Sequence, residues 1–537
     1  MHLNRNLPYI ILALLTAFLT GSQATLSAQK KLGINPARTF QTIESWGAAD
    51  AWSGNFVGKD WNEKERQQIA DWLFSTELDS IGRPKGIGLS YWRVNVGAGT
   101  LEQADADIEP FRRRAESFLT VDGLHYDWGK CAGQQYFMRE AVKRGCNNFT
   151  LFSNSPLVQY TLNHKGWSPI KDGANLRDDA YGLYARYLKD VALHLRKEGF
   201  NIRYISPFNE PQVDWWTNRQ EGTPWRNSQM ARLTEALNAE LSREEALDSC
   251  QIILAESSQI KEAYTTAPRL KDQFPLDEAP DNQAFTFFDP VSEYYVGHLE
   301  HVSHNFTAHT YHNHVLNKTL REDHLALSKE LKRLGLGYHM SEWCLLPNYL
   351  PPMDGFTSDW KDQPRTDIQV ALLLGRIIHS DMVDSDALSW SYWKAMEVNG
   401  DHALIALDCK DGNLMNKGTV RDSKILWALG NYSLFIRPGF QRIGLTGADE
   451  LDAVAASAYL SPNRRRLVVV MVNSSFKDAT YDLVLTQKMR RDVRAVNVYL
   501  TDEKENLSPS PKVTLNRNGV NLTASARGLT TLVVDMK

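Results

Sequence analysis

The sequence predicts an α/β fold: a (β/α)8 barrel followed by a C-terminal antiparallel β-sandwich. Two observations predict it. β-prone apolar segments alternate with helical segments up to about residue 395, and after Pro438 only short β-branched segments follow. The alternative for the first part is a doubly wound open sheet. That fold would carry a glycine-rich phosphate loop after an early strand, and the sequence has no G-x-G-x-x-G or G-x-x-x-x-G-K motif.

Eight apolar runs are long enough to be buried barrel strands, and four segments between them have helical spacing of apolar residues. One helix is predicted to end at Gly199, since glycine is a common helix stop. The predicted strands are Thr42–Ala48, Ile87–Val96, Phe149–Ser153, Ile202–Ser206, Ile252–Ala255, Asn305–Thr310, Gly337–Met340 and Ala387–Tyr392. The predicted helices are Glu63–Phe74, Asp178–Glu198, Ser228–Leu241 and Leu320–Leu334.

The C-terminal segments are short, rich in β-branched residues and separated by turn residues, which is typical of a small antiparallel β domain. The boundary lies at Ile436–Gly439, where proline and glycine end the preceding helix. The predicted strands are Val454–Tyr459, Arg466–Asn473, Thr480–Leu485, Ala495–Tyr499, Val513–Leu515 and Thr530–Val534.

The N-terminus is typical of a cleavable secretory signal. Arg5 precedes an apolar run over Leu7–Leu19, and small residues follow, with cleavage expected after Ala24 or Ala28. The run is short for a membrane span, and the segment contains no Cys that could carry a lipid anchor. We therefore expect residues 1–28 to be a signal peptide, and the protein to be secreted or periplasmic, with no later membrane span.

Charge and cysteine content exclude other classes of protein. The net charge of −4 over 537 residues does not suggest a nucleic-acid partner. Five cysteines are too few and odd in number for a disulfide framework, although Cys131 and Cys146 could pair, which the sequence leaves open. His309, His312 and His314 form a dense cluster without an H-E-x-x-H motif, so we predict polar site lining for His309, and neither a metal nor a cofactor.

Two short sequence motifs contain the candidate catalytic residues. Ser206–Pro211 (SPFNEP) and His339–Trp343 (HMSEW) place Glu210 and Glu342 at the ends of the predicted fourth and seventh strands. Side chains at the C-terminal ends of barrel strands line the active site, and a pair of carboxylates flanking one bond is what glycoside hydrolysis requires. The sequence therefore predicts a glycosidase, with Glu210 as general acid and Glu342 as nucleophile.

Neighbouring polar groups support these roles. Asn209 is expected to hydrogen-bond a sugar hydroxyl, and Tyr311 on the sixth strand is expected to donate to Glu342. Glu256 ends the fifth strand and could either contact the ligand or form a structural ion pair. The sequence does not decide between these two roles of Glu256.

Taken together, the motifs of the chain resemble glycoside hydrolase family 30, within the large clan of retaining (β/α)8 hydrolases. The resemblance covers nearly the whole chain after the signal. It rests on the segments Gln41–Ala48 (QTIESWGA), Trp92–Gly99 (WRVNVGAG), Phe152–Pro156 (FSNSP), Ser206–Pro211, His309–Tyr311 (HTY), Ser341–Trp343, Ser389–Trp393 (SWSYW) and Tyr432–Gly439 (YSLFIRPG).

The resemblance implies retained anomeric configuration, with Asn209 on the sugar 2-hydroxyl, Tyr311 supporting Glu342 and Arg93 keeping it ionised. It also implies that Trp390 forms the floor under the sugar at the scissile position. The β-sandwich would take an N-terminal strand near Leu32–Phe40, which gives domains of 29–45 (strand joining the side domain), 46–437 (barrel) and 438–537 (side domain). The remaining expected substrate contacts are His309, Trp343, Asp50, Trp52, Asn154 and Glu256.

This chain departs from the family pattern at two places. Pro156 is followed by Leu157, where the family has further Pro and a Trp, and Ala48–Asp50 replaces a glycine-rich stretch. Within the family the chain looks most like the endo-β-1,6-galactanase group, and β-1,6-glucanase and endo-xylanase are the alternatives. The alternative of another class is a non-catalytic carbohydrate-binding protein on a barrel scaffold, which would be expected to lack one of the two carboxylates.

Overall fold

The protein is described by a computed structural model that covers residues 30–215, 218–266, 270, 272–275, 278–311, 317–345, 367–398, 403–517 and 519–537. The predicted signal peptide lies outside the described residues, as do His312 and His314. Among the helices of the described part, none is long and apolar enough to cross a membrane.

A first strand, β1 (Lys30–Thr42), precedes a closed barrel of eight parallel strands. Each of the eight predicted strands corresponds to one barrel strand, so the predicted barrel is confirmed. Strand β9 closes the barrel by pairing in parallel with β2. The barrel strands are β2 (Ser45–Ala49), β3 (Tyr91–Asn95), β4 (Phe149–Phe152), β5 (Ile202–Ser206), β6 (Gln251–Ser257), β7 (Val302–His309), β8 (Gly337–Trp343) and β9 (Ser389–Lys394).

The helices between these strands agree with the four predicted segments and include five shorter or unpredicted ones. Helix α4 ends at its C-cap, Glu198, and Gly199 follows with a φ of +92°, a left-handed conformation that glycine adopts without strain. The helices are α1 (Ser53–Asp60), α2 (Glu63–Phe74), α3 (Ala132–Lys143), α4 (Tyr181–Lys197), α5 (Asn227–Leu241), α6 (Ile260–Tyr264), α7 (Gln283–Phe288), α8 (Asn317–Leu334) and α9 (Asp367–Val383).

An insertion that the sequence analysis did not predict follows the last barrel strand. It is a three-stranded sheet of β10 (Met396–Val398), β11 (Ile405–Asp408) and β12 (Thr419–Asp422). Helix α10 (Lys424–Ser433) then leads to the C-terminal region, with the Ser423 hydroxyl accepting from the Leu426 N–H as its N-cap.

The C-terminal region forms one mostly antiparallel, ten-stranded sheet with its own apolar core. Strand β1 lies inside this sheet, antiparallel to β13 and parallel to β16, as expected for the N-terminal strand. The remaining elements are β13 (Gln441–Thr446), β14 (Val454–Leu460), β15 (Arg466–Asn473), β16 (Ala479–Val484), α11 (Gln487–Asp492), β17 (Val493–Thr501), β18 (Ser508–Pro509), β19 (Val513–Asn516), β20 (Gly519–Ala524) and β21 (Gly528–Met536). The predicted fold class is confirmed.

All five cysteines are free thiols in the structure. Cys131 precedes α3 and Cys146 follows it, and both are buried. The disulfide that the sequence left open between them is therefore not formed. Their burial is typical of cysteines that act as small apolar core residues.

Candidate active site

Glu210 and Glu342 meet at the C-terminal end of the barrel. Glu342 is the penultimate residue of β8, and Glu210 lies four residues beyond the end of β5. A carboxylate oxygen of each lies within 4.8 Å of the other and of a ring nitrogen of His309. Retaining glycosidases place their two carboxyl groups about 5–5.5 Å apart and inverting ones about 6.5–9.5 Å apart, so this spacing is typical of retention.

A β-bulge in β8 brings two successive side chains to this site. Side chains of a regular strand alternate between its faces, but the register of β8 against β9 shifts between Met340 and Trp343. As a result the Ser341 hydroxyl donates to Glu256 at 2.7 Å while Glu342, the next residue, also faces the same group of charges.

Arg93 and Tyr311 hold the two oxygens of Glu342. The Arg93 Nη1 donates to Oε2 at 3.1 Å, and the Tyr311 hydroxyl donates to Oε1 at 3.2 Å. The guanidinium of Arg93 also stacks over Phe152 at 4.5 Å from the ring centre, and all three polar side chains are buried. Glu342 therefore has a fixed direction before any substrate binds.

Glu256 is the third carboxylate, and it is completely buried. It accepts from the hydroxyls of Ser206 and Ser341 and lies 3.6 Å from Arg93. Burial opposes its ionisation, but the charge of Arg93 and the hydrogen bonds outweigh this and lower the pKa of Glu256 to about 2. Its φ of +57° is rare for a residue with a side chain, and such conformations concentrate at functional sites.

His309 lies between the carboxylates. Its Nδ1 is 3.0 Å from Glu210 and 3.6 Å from Glu342, and its Nε2 is 2.9 Å from Glu256. Burial would lower the pKa of His309, but the surrounding carboxylates raise it to about 10. His309 is therefore an imidazolium at neutral pH, and both of its nitrogens donate. We call Arg93, Glu210, Glu256, His309, Tyr311 and Glu342 the carboxylate cluster.

Two buried side-chain amides at the same end of the barrel have unpaired polar atoms. Asn209 follows β5 and Asn154 follows β4, and both are at most 3% exposed. Within the described residues, neither the oxygen nor the nitrogen of Asn154 has a hydrogen-bond partner, and the oxygen of Asn209 has none. Buried polar atoms are almost always paired, so unpaired ones beside a carboxylate cluster indicate a place for ligand hydroxyls.

The comparisons with known proteins agree with this geometry. Residues 29–405, more than half of the chain, match the profile of "O-Glycosyl hydrolase family 30". The chain belongs to glycosyl hydrolase family 30. It is accordingly a glycoside hydrolase, an enzyme that cleaves bonds between sugars.

Relatives with different named activities and one solved structure are similar to this chain. It is 30% identical over 235 residues to an endo-β-1,6-galactanase of Hypocrea rufa, a match that covers 40% of this chain and 47% of that protein. It is 24% identical over 424 residues to the glucuronoxylanase XynC of Bacillus subtilis strain 168, with 78% and 80% covered. The crystal structure of a conserved exported protein from Bacteroides fragilis is 30% identical, with a TM-score of 0.83, and 94% of this chain and all of that chain are covered.

The structure shows contacts within the protein for four expected sugar contacts of this family 30 enzyme, which are Glu256, Asp50, Trp390 and Trp343. Glu256 is enclosed within the cluster, so of the two readings left open the ion pair is the one that the structure shows. Asp50 accepts from the Asn95 N–H and the Gln134 amide, and burial raises its pKa to about 7.

Trp390 is the third of these residues. Its side chain is fully buried, and its Nε1 donates to Asp381 of α9 at 2.9 Å, so it packs against the helical layer and not under a sugar. Trp343 is also fully buried, and its ring packs edge to face against Tyr392. Neither indole is therefore placed as a floor of the site.

Trp393, on the other face of the same strand, lies towards Arg93 of the carboxylate cluster. Its ring lies 6.0 Å from the guanidinium of Arg93 and makes edge contacts with Phe152 and with Trp52, which is itself 5% exposed. Trp393 is not among the site residues predicted from the sequence. The alternation of small residues along Ser389–Trp393 was the available signal, since it puts residues 389, 391 and 393 on the inner face.

The spacing of Glu210, His309 and Glu342 would also suit three ligands of a cation. A histidine ligates a metal through an unprotonated nitrogen, whereas the neighbouring carboxylates keep the pKa of His309 near 10. The hydrogen-bonded description therefore fits these residues better. The absence of a metal stays a prediction.

Proposed function

We propose that this enzyme is an exported, retaining β-glycosidase of polysaccharides, with Glu342 as nucleophile and Glu210 as general acid and base. The observation that carries the proposal is the approach of Glu210 and Glu342 to within 4.8 Å around a shared His309. This spacing suits direct attack on the anomeric carbon and leaves no room for the water that an inverting mechanism places between substrate and base.

The proposed reaction has two steps. Glu342 attacks the anomeric carbon as the bond to the leaving oxygen breaks, and Glu210 gives that oxygen its proton. In the second step Glu210 takes a proton from water, and the water oxygen displaces Glu342 from the same carbon. Two inversions at one carbon give net retention.

The charges of the cluster support this division of roles. Arg93 and His309 are cations, and Glu256 and Glu342 are anions, so the cluster is neutral when Glu210 carries the proton. In the glycosyl-enzyme intermediate Glu342 is an uncharged ester and Glu210 is ionised, so the cluster is neutral again. Both half-reactions therefore begin without net buried charge, which would be costly in a site this enclosed.

The unpaired amides indicate where the sugar binds. Asn209 is next to Glu210, which suits a hydrogen bond to the 2-hydroxyl of the ring being cleaved. Asn154 follows the neighbouring barrel strand with both polar atoms available, which suits a neighbouring hydroxyl of the same ring. Such bonds also contribute to selectivity, because a sugar that lacks the matching hydroxyl leaves a buried amide unpaired.

For the substrate we propose β-1,6-linked galactan, such as the side chains of arabinogalactans. The support is the 30% identity, over 235 residues, to an endo-β-1,6-galactanase. Glucuronoxylan and β-1,6-glucan are the alternatives. Export is proposed from residues 1–28 and from the similarity to an exported Bacteroides fragilis protein.

One experiment tests both mechanism and substrate. The wild type, Glu342→Gln and, as a matched surface control, Glu322→Gln are incubated with β-1,6-galactan, β-1,6-glucan and glucuronoxylan, and the products are sized. We expect galactan to be cut by the wild type and the control, and Glu342→Gln to bind galactan without cutting it. Undiminished hydrolysis by Glu342→Gln would refute the nucleophile assignment. Binding without hydrolysis by the wild type would favour a non-catalytic carbohydrate-binding protein.

A further inference from the structure

A second concave site lies on the active-site face of the barrel, in a position that the proposed mechanism does not use. It has a volume of about 350 Å³, within the range of about 300–1,000 Å³ that is typical of ligand pockets. Its walls come from α1, from the loop after β3 and from the insertion between β11 and β12. We call it the 111–415 groove, and it is lined by Phe56, Pro110, Phe111, Arg112 and residues 411–415.

The surface of the groove is amphipathic. Phe111 is 44% exposed and Met415 is 56% exposed, and both face the same depression. Arg112, Asp411 and Asn413 add charged and amide groups around them. An exposed aromatic ring with polar groups at its edge suits a sugar, which offers an apolar ring face and a rim of hydroxyls.

The groove is built by buried contacts. The indole of Trp61 donates to the Leu414 carbonyl at 2.9 Å, and the Arg112 Nε donates to the fully buried Glu397 at 2.9 Å. These contacts tie the β10–β12 insertion to α1 and to the loop after β3. A pre-organised surface loses little entropy when a ligand binds.

A chain of side-chain contacts links the edge of the groove to the carboxylate cluster. Arg113, next to the lining residue Arg112, lies 5.0 Å over the ring of Trp52, and Trp52 contacts Trp393 at 5.5 Å. Trp393 in turn lies 6.0 Å from Arg93, which holds Glu342. A line of aromatic rings and guanidinium groups thus leads from the groove to the nucleophile.

The position of the groove decides which end of the substrate it would meet. Its walls follow the first, second and eighth barrel strands, whereas Glu210 follows the fourth, on the opposite side of the barrel. The general acid lies on the side of the leaving group. The groove therefore lies on the side of the non-reducing part of the chain.

We infer that the 111–415 groove binds sugar units of the same polysaccharide chain, on the non-reducing side of the cleaved bond. The inference rests on the proposed function and extends it, because a subsite away from the scissile ring favours a long chain over a short one. Phe111 is the expected stacking surface, and Met415 covers the other apolar part.

The test compares a polymer with a short substrate. We expect Phe111→Ala to lower kcat/KM about tenfold on the polymer that the wild type cuts, the loss of one stacking contact. On the matching 2,4-dinitrophenyl monoglycoside, which occupies only the scissile position and one leaving group, kcat/KM is expected to stay unchanged. Phe111→Trp should restore the polymer activity. The matched control is Phe476→Ala, which removes another exposed phenylalanine, 66% exposed in the C-terminal sheet.

The outcomes separate the two proposals. If the wild type cuts xylan or glucan and not galactan, the sugar assignment fails, and the groove is tested on the polymer that is cut. Equal losses on polymer and monoglycoside, or no loss on either, would overturn the groove proposal. Retention of Glu342→Gln in gels containing each polysaccharide gives a reading without turnover: adding Phe111→Ala should weaken it, and unchanged retention would count against the groove.

Discussion

Replacing His309 by Asn should change the pH dependence of this enzyme more than it changes the fold. In the wild type His309 is a buried cation that lies 3.6 Å from Glu342 and bonds to Glu210 and Glu256. Asn keeps a side-chain donor near the position of Nδ1 but carries no charge. The substitution therefore removes the electrostatic contribution of His309 while preserving part of its hydrogen bonding.

The expected size of the effect follows from the distance. Two unit charges at 3.6 Å and an effective dielectric constant near 20 interact by about 4–5 kcal/mol. Water entry and relaxation reduce this, and an opposite charge at such a distance typically changes a carboxylate pKa by about 1–3 units. Burial raises the pKa of Glu342, while His309 and Arg93 oppose that rise. Removing His309 should therefore raise the pKa of Glu342 further.

The assay is the pH profile of kcat/KM, whose acid limb reports ionisation of the nucleophile in the free enzyme. We expect this limb to move to higher pH in His309→Asn. Tyr311→Phe removes an uncharged donor from the same carboxylate, so its limb should move less. His304→Asn, an exposed histidine on the same strand, is the surface control. An acid limb that stays in place in folded His309→Asn would refute the charge argument.

Three further predictions follow from the contacts of the site. Glu210→Ala should lose hydrolysis of polysaccharide but still form the glycosyl-enzyme from 2,4-dinitrophenyl glycosides, because their leaving group needs no acid. Stopped-flow release of dinitrophenol measures the formation of the glycosyl-enzyme. Equal losses on both substrates would contradict the acid role. Trp393→Ala should lower kcat/KM. Trp390→Phe should chiefly lower the free energy of unfolding, by about 1–3 kcal/mol, because Asp381 loses a buried donor. The reverse pattern in kinetics and urea denaturation would indicate that Trp390, and not Trp393, contacts the substrate. The pKa of Glu256 is about 2 in the folded protein, against an ordinary value of 4.5, so its ionisation stabilises the fold above pH 4.5 and this contribution is lost as the pH falls towards 2. In Glu256→Gln the acid-induced fall in the free energy of unfolding should shrink by about 3 kcal/mol. An unchanged fall, measured by denaturation at acid pH, would contradict the pKa shift.

Much of the barrel could be predicted because its strands are buried on both faces and so form continuous apolar runs. Helix α4 was predictable to within a turn because its amphipathic spacing ends at Gly199. The β10–β12 sheet could not be predicted, since all three of its strands have only three or four residues and β12 is largely polar. Such strands depend on their neighbours, not on a local pattern.

The positions of Glu210 and Glu342 were predictable because a strand end in a barrel is a defined place. The direction in which a side chain points was harder to predict. Trp390 and Trp393 belong to one strand, but they lie on different faces of it. The surroundings of Glu256 were unpredictable for another reason. Its partners His309 and Ser341 come from strands distant in sequence, and a register shift brings Ser341 towards it.

The residues proposed to catalyse the reaction and those proposed to select the sugar lie in different parts of the structure. The carboxylate cluster is buried at the ends of barrel strands, and each of its charges is held by at least one partner of opposite sign before a sugar arrives. The groups with unpaired or exposed surfaces, such as Asn154 and Phe111, lie after the strands, where loops can change without disturbing the cluster. Family members that cut xylan, glucan or galactan can therefore share one mechanism. The sugar and the cleavage position then depend on residues that contribute little to the stability of the barrel.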